Sequence, residues 1–457
     1  MNPRPTTARD LALAALADRA GNVTAHLNRL LTESPLGGND AALARELALG
    51  VVRRRATLDA VIDAFRTRPS PLLRRIRGIL RLGLYQLLFL DRVPDFAAVS
   101  EAVNQASRAG GGAGGFVNAL LRAAARSVSP VQTGQLPLAA DVLPLGLDSF
   151  RRFDRPVFPA PAAEPGGFLA AALSLPQALA EKWLQQFGGL EEALPIALHA
   201  NGRPPLIMRV NSLRASVEQV LAELRAEGVA ASAHSNGRSV VVTGRVDLAQ
   251  LAVFTEGKIQ PQDASATAVV AGAGDLIGPG MRVLDLCAAP GTKTTHLAER
   301  MEDRGQILAV DVSEAKLQRI RDNCKRMGIT IVRTVLADGI GQLEERSFDL
   351  VLVDAPCSNT GVLARRGEAR WRFTHEAVAA LAKDQRDLLA LGLRFVAGGG
   401  ACIYSTCSLE EQENEAVVRG ALSGGGLRLG REHQQRPAGV DDPTRWSDGG
   451  YFAVLLR

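Results

Sequence analysis

From residue 281 onward the chain repeats one pattern: a short apolar run, a turn, then a stretch with helical spacing. The runs fall at 281–287, 306–311, about 330–336, 348–354 and 401–407. Apolar runs of this length are strands buried on both faces, and their alternation with helices requires a parallel sheet covered by helices on both sides. In such open sheets, ligands meet the chain at the carboxyl ends of the strands. Two of these ends carry a cysteine. Cys357 closes the run through Asp354-Ala-Pro, and Cys407 closes Tyr-Ser-Thr, fifty positions later.

The rest of the chain limits what this sheet can belong to. A length of 457 residues allows two to four domains, and 46% apolar with 22% charged residues describes an ordinary soluble protein. No apolar run approaches the ~18 residues of a membrane span. The stretch 11–17, flanked by Asp10 and Asp18, reads as a first amphipathic helix and not as a secretory signal. The five cysteines (Cys287, Cys324, Cys357, Cys402, Cys407) form no C-x-x-C pair and the six histidines are scattered, so no zinc or other metal site is expected. The low, odd count suits a reducing cytoplasm, and a monomer is expected.

The net charge of +5 is uneven: residues 1–128 carry 18 Arg, no Lys and 10 acids, a net +8, which leaves −3 for the remainder. A basic block beside a mildly acidic one points to a polyanion, although an arginine-rich composition alone would give a similar count. Residues 6–127 read as helices, with patterns at 41–65 and 71–90 and a glycine-rich loop at 110–115. Arg74, Arg77 and Arg81 form one helical stripe and Arg53, Arg54 and Arg55 a second cluster, to be weighed against an ordinary solvated face. Residues 128–167 hold many prolines and read as a semi-extended linker. Residues 168–265 read as a small α+β unit, with helices near 175–187 and 216–228 and strands at 206–211 and 239–243. The segment with the alternating strands and helices is then 266–457.

The turn after the first run, Cys287-Ala288-Ala289-Pro290-Gly291-Thr292-Lys293, has the small residues that let a backbone approach a ligand with its amides outward. Asp311 follows Asp285 by 26 positions, a spacing suited to a ribose hydroxyl, and Asp338 stands where an adenine amine would be met. Asp354 makes a third acid at a strand end after this turn. Helix N-caps are the plainer account of single acids, but not of three in succession. The G-x-G-x-x-G fingerprint of nicotinamide and flavin binding is absent.

This arrangement resembles a class I S-adenosylmethionine-dependent methyltransferase. Asp285-Leu-Cys-Ala-Ala-Pro-Gly291-Thr-Lys293, Asp354-Ala-Pro-Cys357-Ser and Ser405-Thr-Cys407-Ser with Glu413-Asn414 together resemble the motif set of RNA 5-methylcytosine methyltransferases. Upstream, Gly83-Leu-Tyr-Gln-Leu-Leu and Phe116-Val-Asn-Ala-Leu-Leu-Arg resemble the helical NusB domain, and residues 168–265 an RNA-recognition-like module. This order of domains is similar to the bacterial 16S rRNA cytosine methyltransferases of the RsmB/Sun family.

The resemblance implies a Rossmann-like catalytic domain, S-adenosyl-L-methionine as cofactor bound by residues 287–293 with Asp311, Asp338 and Asp354, and a single-stranded or flipped-out cytosine of 16S rRNA as substrate. It implies that Cys407 forms a covalent adduct and Cys357 assists its release, while Asp354 and Lys293 contact the base. Arg365, Arg366, Arg370 and Arg372 around Trp371 are expected to grip phosphates and stack on a base. Arg209, Asn211, Gln262 and Asp263 are expected to frame the site. Cys324 and Cys402 read as buried fillers and Cys287 as part of the cofactor turn. Transfer RNA or another ribosomal position is the rival substrate, and a silent antitermination factor the rival class.

Overall fold

The computed structural model describes every residue except 1–6, 18–21, 68–70, 111 and 245. Its internal contacts define two units: residues 1–202 with 366–373, and residues 203–365 with 374–457.

The first unit opens with seven helices among the described residues: α1 (Ala8–Leu16), α2 (Val23–Thr32), α3 (Gly38–Arg53), α4 (Arg55–Phe65), α5 (Arg74–Phe89), α6 (Asp95–Ala109) and α7 (Ala113–Ser127). Thr7 and Asn22 cap α1 and α2 by accepting the amides of Asp10 and Ala25. Leu47, Leu58, Ile62, Ile79 and Leu121, all fully enclosed, share one core. The pattern at 41–65 is two helices, because Arg54 leaves helical geometry between them. The glycine-rich loop at 110–115 is shorter than expected, since α7 already begins at Ala113; Gly111 lies outside the described residues.

The proline-rich segment is not a spacer. Strands β1 (Gln132–Thr133), β2 (Val142–Pro144) and β3 (Ser149–Arg152) form an antiparallel sheet in the order β1-β3-β2. Phe153 and Phe158, which follow it, are buried in the core of the helices. Most of the prolines stand between the strands or just beyond them, where no ladder hydrogen bond is lost. Helices α8 (Pro165–Ala172), α9 (Gln177–Phe187) and α10 (Leu190–Asn201) complete this stretch, and by its contacts the helix expected at 175–187, here α9, groups with the first unit.

The second unit starts with β4 (Leu206–Val210), α11 (Val217–Ala226), β5 (Ala231–Ala233), β6 (Ser239–Val242), α12 (Ala252–Thr255) and β7 (Ile259–Pro261). The strands form an antiparallel sheet, β5-β6-β4-β7, on which Val220 and Leu224 of α11 meet Met208 and Val240. A capping box of Ser216 and Gln219 starts α11.

The larger sheet follows: α13 (Ala264–Ala271), β8 (Arg282–Leu286), α14 (Thr292–Arg300), β9 (Gln306–Asp311), α15 (Glu314–Met327), β10 (Val332–Leu336), β11 (Phe348–Asp354), α16 (His375–Phe395), β12 (Val396–Thr406), α17 (Glu415–Leu422), β13 (Arg428–Gln435) and β14 (Gly450–Leu456). Its order is β10-β9-β8-β11-β12-β14-β13, parallel from β10 to β12 and antiparallel beyond. Successive strand residues point to opposite faces. Val283, Ile307, Leu350, Leu352 and Ile403 enter one core, and Leu284, Val310, Val351, Val353 and Tyr404 the other. Burial on both faces explains the unbroken apolar runs. The strand order reverses at β8, between β9 and β11, which makes a crevice at the carboxyl ends there. Among the described residues no helix is long and apolar enough to cross a membrane.

Candidate active site

β11 and β12 are parallel neighbours with Asp354 opposite Ser405, so the turns that follow them leave the sheet side by side. The sulfurs of Cys357 and Cys407 stand 3.2 Å apart. Cys407 Sγ also lies 3.3 Å from Asn359 Oδ1, whose Nδ2 donates to the Cys357 carbonyl at 2.7 Å. The Gly361 amide donates to the Cys407 carbonyl at 3.0 Å. A side chain at Gly361 would come within 2.6 Å of the Gly449 backbone and 2.9 Å of the Cys407 carbonyl, so the close approach of these loops requires glycine. The hydrogen bond to Cys407, burial and the charges of Cys407 and Glu413 hold the Cys357 thiol well above its ordinary range.

Lys293, in the first turn of α14, pairs with Asp354 Oδ2 at 2.7 Å, and Ser405 Oγ donates to Asp354 Oδ1 at 2.7 Å. Burial alone would lower the Lys293 pKa, but Asp354 and Cys407 outweigh it and raise it. The ammonium is thus a fixed cation on the Cys407 side of the site, and a nearby cation favours a thiolate.

The turn between β8 and α14 forms the floor of the crevice. Cys287 has φ 60° and Gly291 φ 92°, and Gly291 starts α14. Asp311 Oδ2 accepts the Ala289 amide at 3.2 Å and Oδ1 the Val312 amide at 2.8 Å, which ties the turn to the end of β9. Val312 is 76% exposed and Asp338 is exposed just beyond β10. Asp285 Oδ2 accepts from Thr294 Oγ1 at 2.6 Å, while Asp285 Oδ1 is buried without a donor among the described residues. Burial, then the Asp354 and Asp311 charges, raise this carboxyl to about 7 against the opposing effects of Thr294 and Lys293. An uncovered apolar side chain, acids at three strand ends and an orphaned carboxylate oxygen fit a nucleoside ligand that carries a cationic centre.

Burial first, and then the Asp354, Asp285 and Asp311 charges, push Cys287 up to about 12; burial does the same for Cys324 and Cys402.

Of the four arginines around Trp371, Arg366 and Arg372 are exposed, whereas Arg370 and Arg365 part from expectation. Arg370 is fully buried in the first unit, where it donates to the carbonyls of Arg53, Ser174 and Ala200 and to Asn201 Oδ1. Trp371 Nε1 donates to the Val52 carbonyl at 2.8 Å, with Arg55 stacked on its ring. These two side chains fasten residues 366–373 into that unit and are not surface grips for RNA. Arg365, in the second unit, is paired with Asp448 and Asp263. Of the α5 stripe, Arg77 and Arg81 are bound to Asp59, and only Arg74 is exposed. Arg209, paired with Glu299 and bonded to Gln262 and to Thr295 at 3.1 Å, supports α14 from behind. Asn211 donates to the carbonyls of Gly257 and Met327, and Asp263 accepts the Asp448 amide.

One functional residue enters the sequence reading only as part of a motif. Glu413, fully buried, accepts from Ser358 beside Cys357, from Ser408 beside Cys407 and from Gln385 of α16.

A doubly wound sheet with a close glycine turn and successive acids at its switch point, beside two facing thiols, defines a class I S-adenosylmethionine-dependent methyltransferase. Comparison with known proteins gives the particular family. The model described as 16S rRNA methyltransferase RsmB/F matches residues 278–436, the NusB family model matches 6–126, and a ferredoxin-like domain of RsmF/B-like methyltransferases matches 175–248. "Probable ribosomal RNA small subunit methyltransferase B" of Synechocystis sp. is 35% identical, covering 90% of this chain and 88% of that protein. Ribosomal RNA small subunit methyltransferase B of Pseudomonas syringae pv. tomato is 31% identical, covering 100% and 97%. A solved structure described as the crystal structure of PH0851 is 25% identical with a TM-score of 0.72 and covers 100% of both chains. The chain belongs to the RsmB/Sun family of ribosomal RNA methyltransferases.

Proposed function

We propose that this protein transfers a methyl group to carbon 5 of a cytosine in 16S rRNA through a covalent bond between Cys407 and the base. The observation that carries the reading is the pair of sulfurs 3.2 Å apart beside the Lys293–Asp354 ion pair. The names of the relatives, ribosomal RNA small subunit methyltransferase B, support the substrate.

The turn 287–293 with Asp311, Asp338 and Asp354 would hold S-adenosylmethionine, which would supply an electrophilic methyl group. Carbon 5 of cytosine is too weak a nucleophile to take it. Addition of the Cys407 thiolate to carbon 6 pushes an electron pair onto carbon 5, which would then take the methyl as its bond to the sulfonium sulfur breaks and S-adenosylhomocysteine leaves. Loss of the carbon 5 proton and expulsion of the Cys407 thiolate restore the aromatic ring. Cys357, held as a thiol against Cys407, assists that expulsion. Asp354 and Lys293 hold the base edge and stabilise the protonated ring. A cytosine stacked in a helix cannot reach one buried and one half-buried sulfur, so the substrate nucleotide is single-stranded or flipped out.

The test is a pair of variants assayed on 16S rRNA. Cys407→Ala is expected to abolish methylation while S-adenosylmethionine binding, followed by calorimetry, persists; normal turnover refutes the assignment. Cys357→Ala is expected to accumulate an RNA–protein adduct, seen as a retarded band on a denaturing gel. A gel without that band removes the release role.

A further inference from the structure

The strand ladder that aligns the two cysteine turns ends at Asp354 and Ser405, with one further bond from the Ala355 amide to the Ser405 carbonyl at 2.9 Å. Both sulfurs lie beyond that point. We propose that Glu413 is a positioning residue of the two-thiol site, its enclosed carboxylate holding the Cys357 turn and the Cys407 turn in one fixed arrangement. This role rests on the function proposed above.

Glu413 lies in the 3-10 turn Glu411–Glu413, just before α17, and is 0% exposed. A carboxylate buried to that degree must be satisfied by donors. Oε1 accepts the Ser358 amide at 2.9 Å and Gln385 Nε2 at 2.9 Å; Oε2 accepts the hydroxyls of Ser358 and Ser408. Ser358 and Ser408 each follow a reactive cysteine, so a single carboxylate is bonded to both turns. The anchor is itself fixed, because the Tyr404 hydroxyl donates to the Glu413 carbonyl at 2.6 Å and Gln385 also donates to the Pro356 carbonyl at 2.9 Å. Four donors converge on one side chain, and only an ionised carboxylate accepts four. Glutamine in the same place would turn two N–H groups toward two hydroxyls and force them to reorient. The charge also lies against Cys357 and disfavours a second thiolate beside Cys407.

Glu413→Gln is the direct test, made in the full chain with 16S rRNA and S-adenosylmethionine. The expected result is a kcat lower by about ten-fold or more, with the KM for RNA and the affinity for S-adenosylmethionine within about two-fold of wild type. A residue needed only for folding would lower the folded fraction and leave the kcat of the folded enzyme intact. Equal kcat in folded Glu413→Gln overturns the proposal. Should that variant not fold, Ser358→Ala combined with Ser408→Ala removes two of the donors instead. This double variant is expected to lose kcat by less than the sum of the single losses, since both hydroxyls act through one carboxylate; unchanged turnover overturns the role.

A second readout needs no turnover and so separates failure of this proposal from failure of the methyltransferase reading. An azodicarboxamide oxidant joins Cys357 and Cys407 in a disulfide, its N=N bond taking up the two protons and two electrons and becoming the hydrazine. Cross-linking is expected to be several-fold slower in Glu413→Gln than in wild type. Equal rates, including no reaction in either, overturn the proposal. Absence of 5-methylcytosine in RNA treated with wild type would instead remove the underlying function.

Discussion

Asp285 shows how a single buried oxygen gives the catalytic unit a pH dependence. Its carboxyl sits at about 7, so between about pH 4 and pH 7 the folded state holds a proton that the unfolded state has released. The sign follows: stability falls as pH rises through that window and levels off above it, with a slope of at most about 1.4 kcal/mol per pH unit from this group. Asp285→Asn keeps an acceptor for the Thr294 hydroxyl and has no proton to lose. Thermal unfolding of that variant from pH 4.5 to 8 is therefore expected to show a flatter dependence than wild type, and parallel curves would remove this carboxyl as the cause. At this scale the sequence was most informative where a residue ends a strand. The placement of Asp311, Asp354, Cys357 and Cys407 follows from the strand pattern, because parallel strands deliver their last residues to one edge. Glu413 was not legible in the same way. Nothing local marks a glutamate six positions after a cysteine as enclosed, since its donors come from two turns and a helix, the farthest of them fifty-five and twenty-eight residues away.

In segment 366–373 the structure differs most from what the sequence pattern suggests. Arginines interleaved with a tryptophan look like a phosphate grip, because sequence cannot show that carbonyls of other elements in the first unit already receive Arg370. The proline-rich segment misled for a related reason: prolines argue against long strands but allow a small sheet of two to four residues per strand that packs its flanking phenylalanines on a helical core. Replacing Arg370 by Met leaves three carbonyls and the Asn201 amide oxygen buried without that donor, at a cost of about 1–3 kcal/mol for each group left unsatisfied. Arg370→Met is expected to lower the thermal midpoint of the protein. The salt dependence of its RNA affinity should stay unchanged; a reduced salt slope would return Arg370 to the phosphate-contact reading.

Over the whole molecule the bearing of the uneven charge on RNA depends on which cations face solvent. Arg77 and Arg81 are spent on Asp59, which is only 25% exposed, whereas Arg74 and Arg75 at the start of α5 are exposed. Contact with phosphate releases condensed counterions, and each contact contributes about 0.7 to 0.9 to the slope of log affinity against log salt concentration. Arginines held by Asp59 add little to that slope, because reaching a phosphate would first break those bonds. Two double variants separate the cases. Arg74→Ala with Arg75→Ala is expected to flatten the slope for 16S rRNA by about one to two. Arg77→Met with Arg81→Met is expected to keep the slope and lower stability by about 1 kcal/mol, the order expected for a partly exposed ion-pair network. Filter binding between low and moderate salt reads the first quantity and thermal unfolding the second. If both variants flatten the slope equally, the α5 stripe acts as one phosphate-binding face and the pairing with Asp59 gives way when RNA binds; if neither does, the surplus charge of the first unit serves something other than RNA contact through α5.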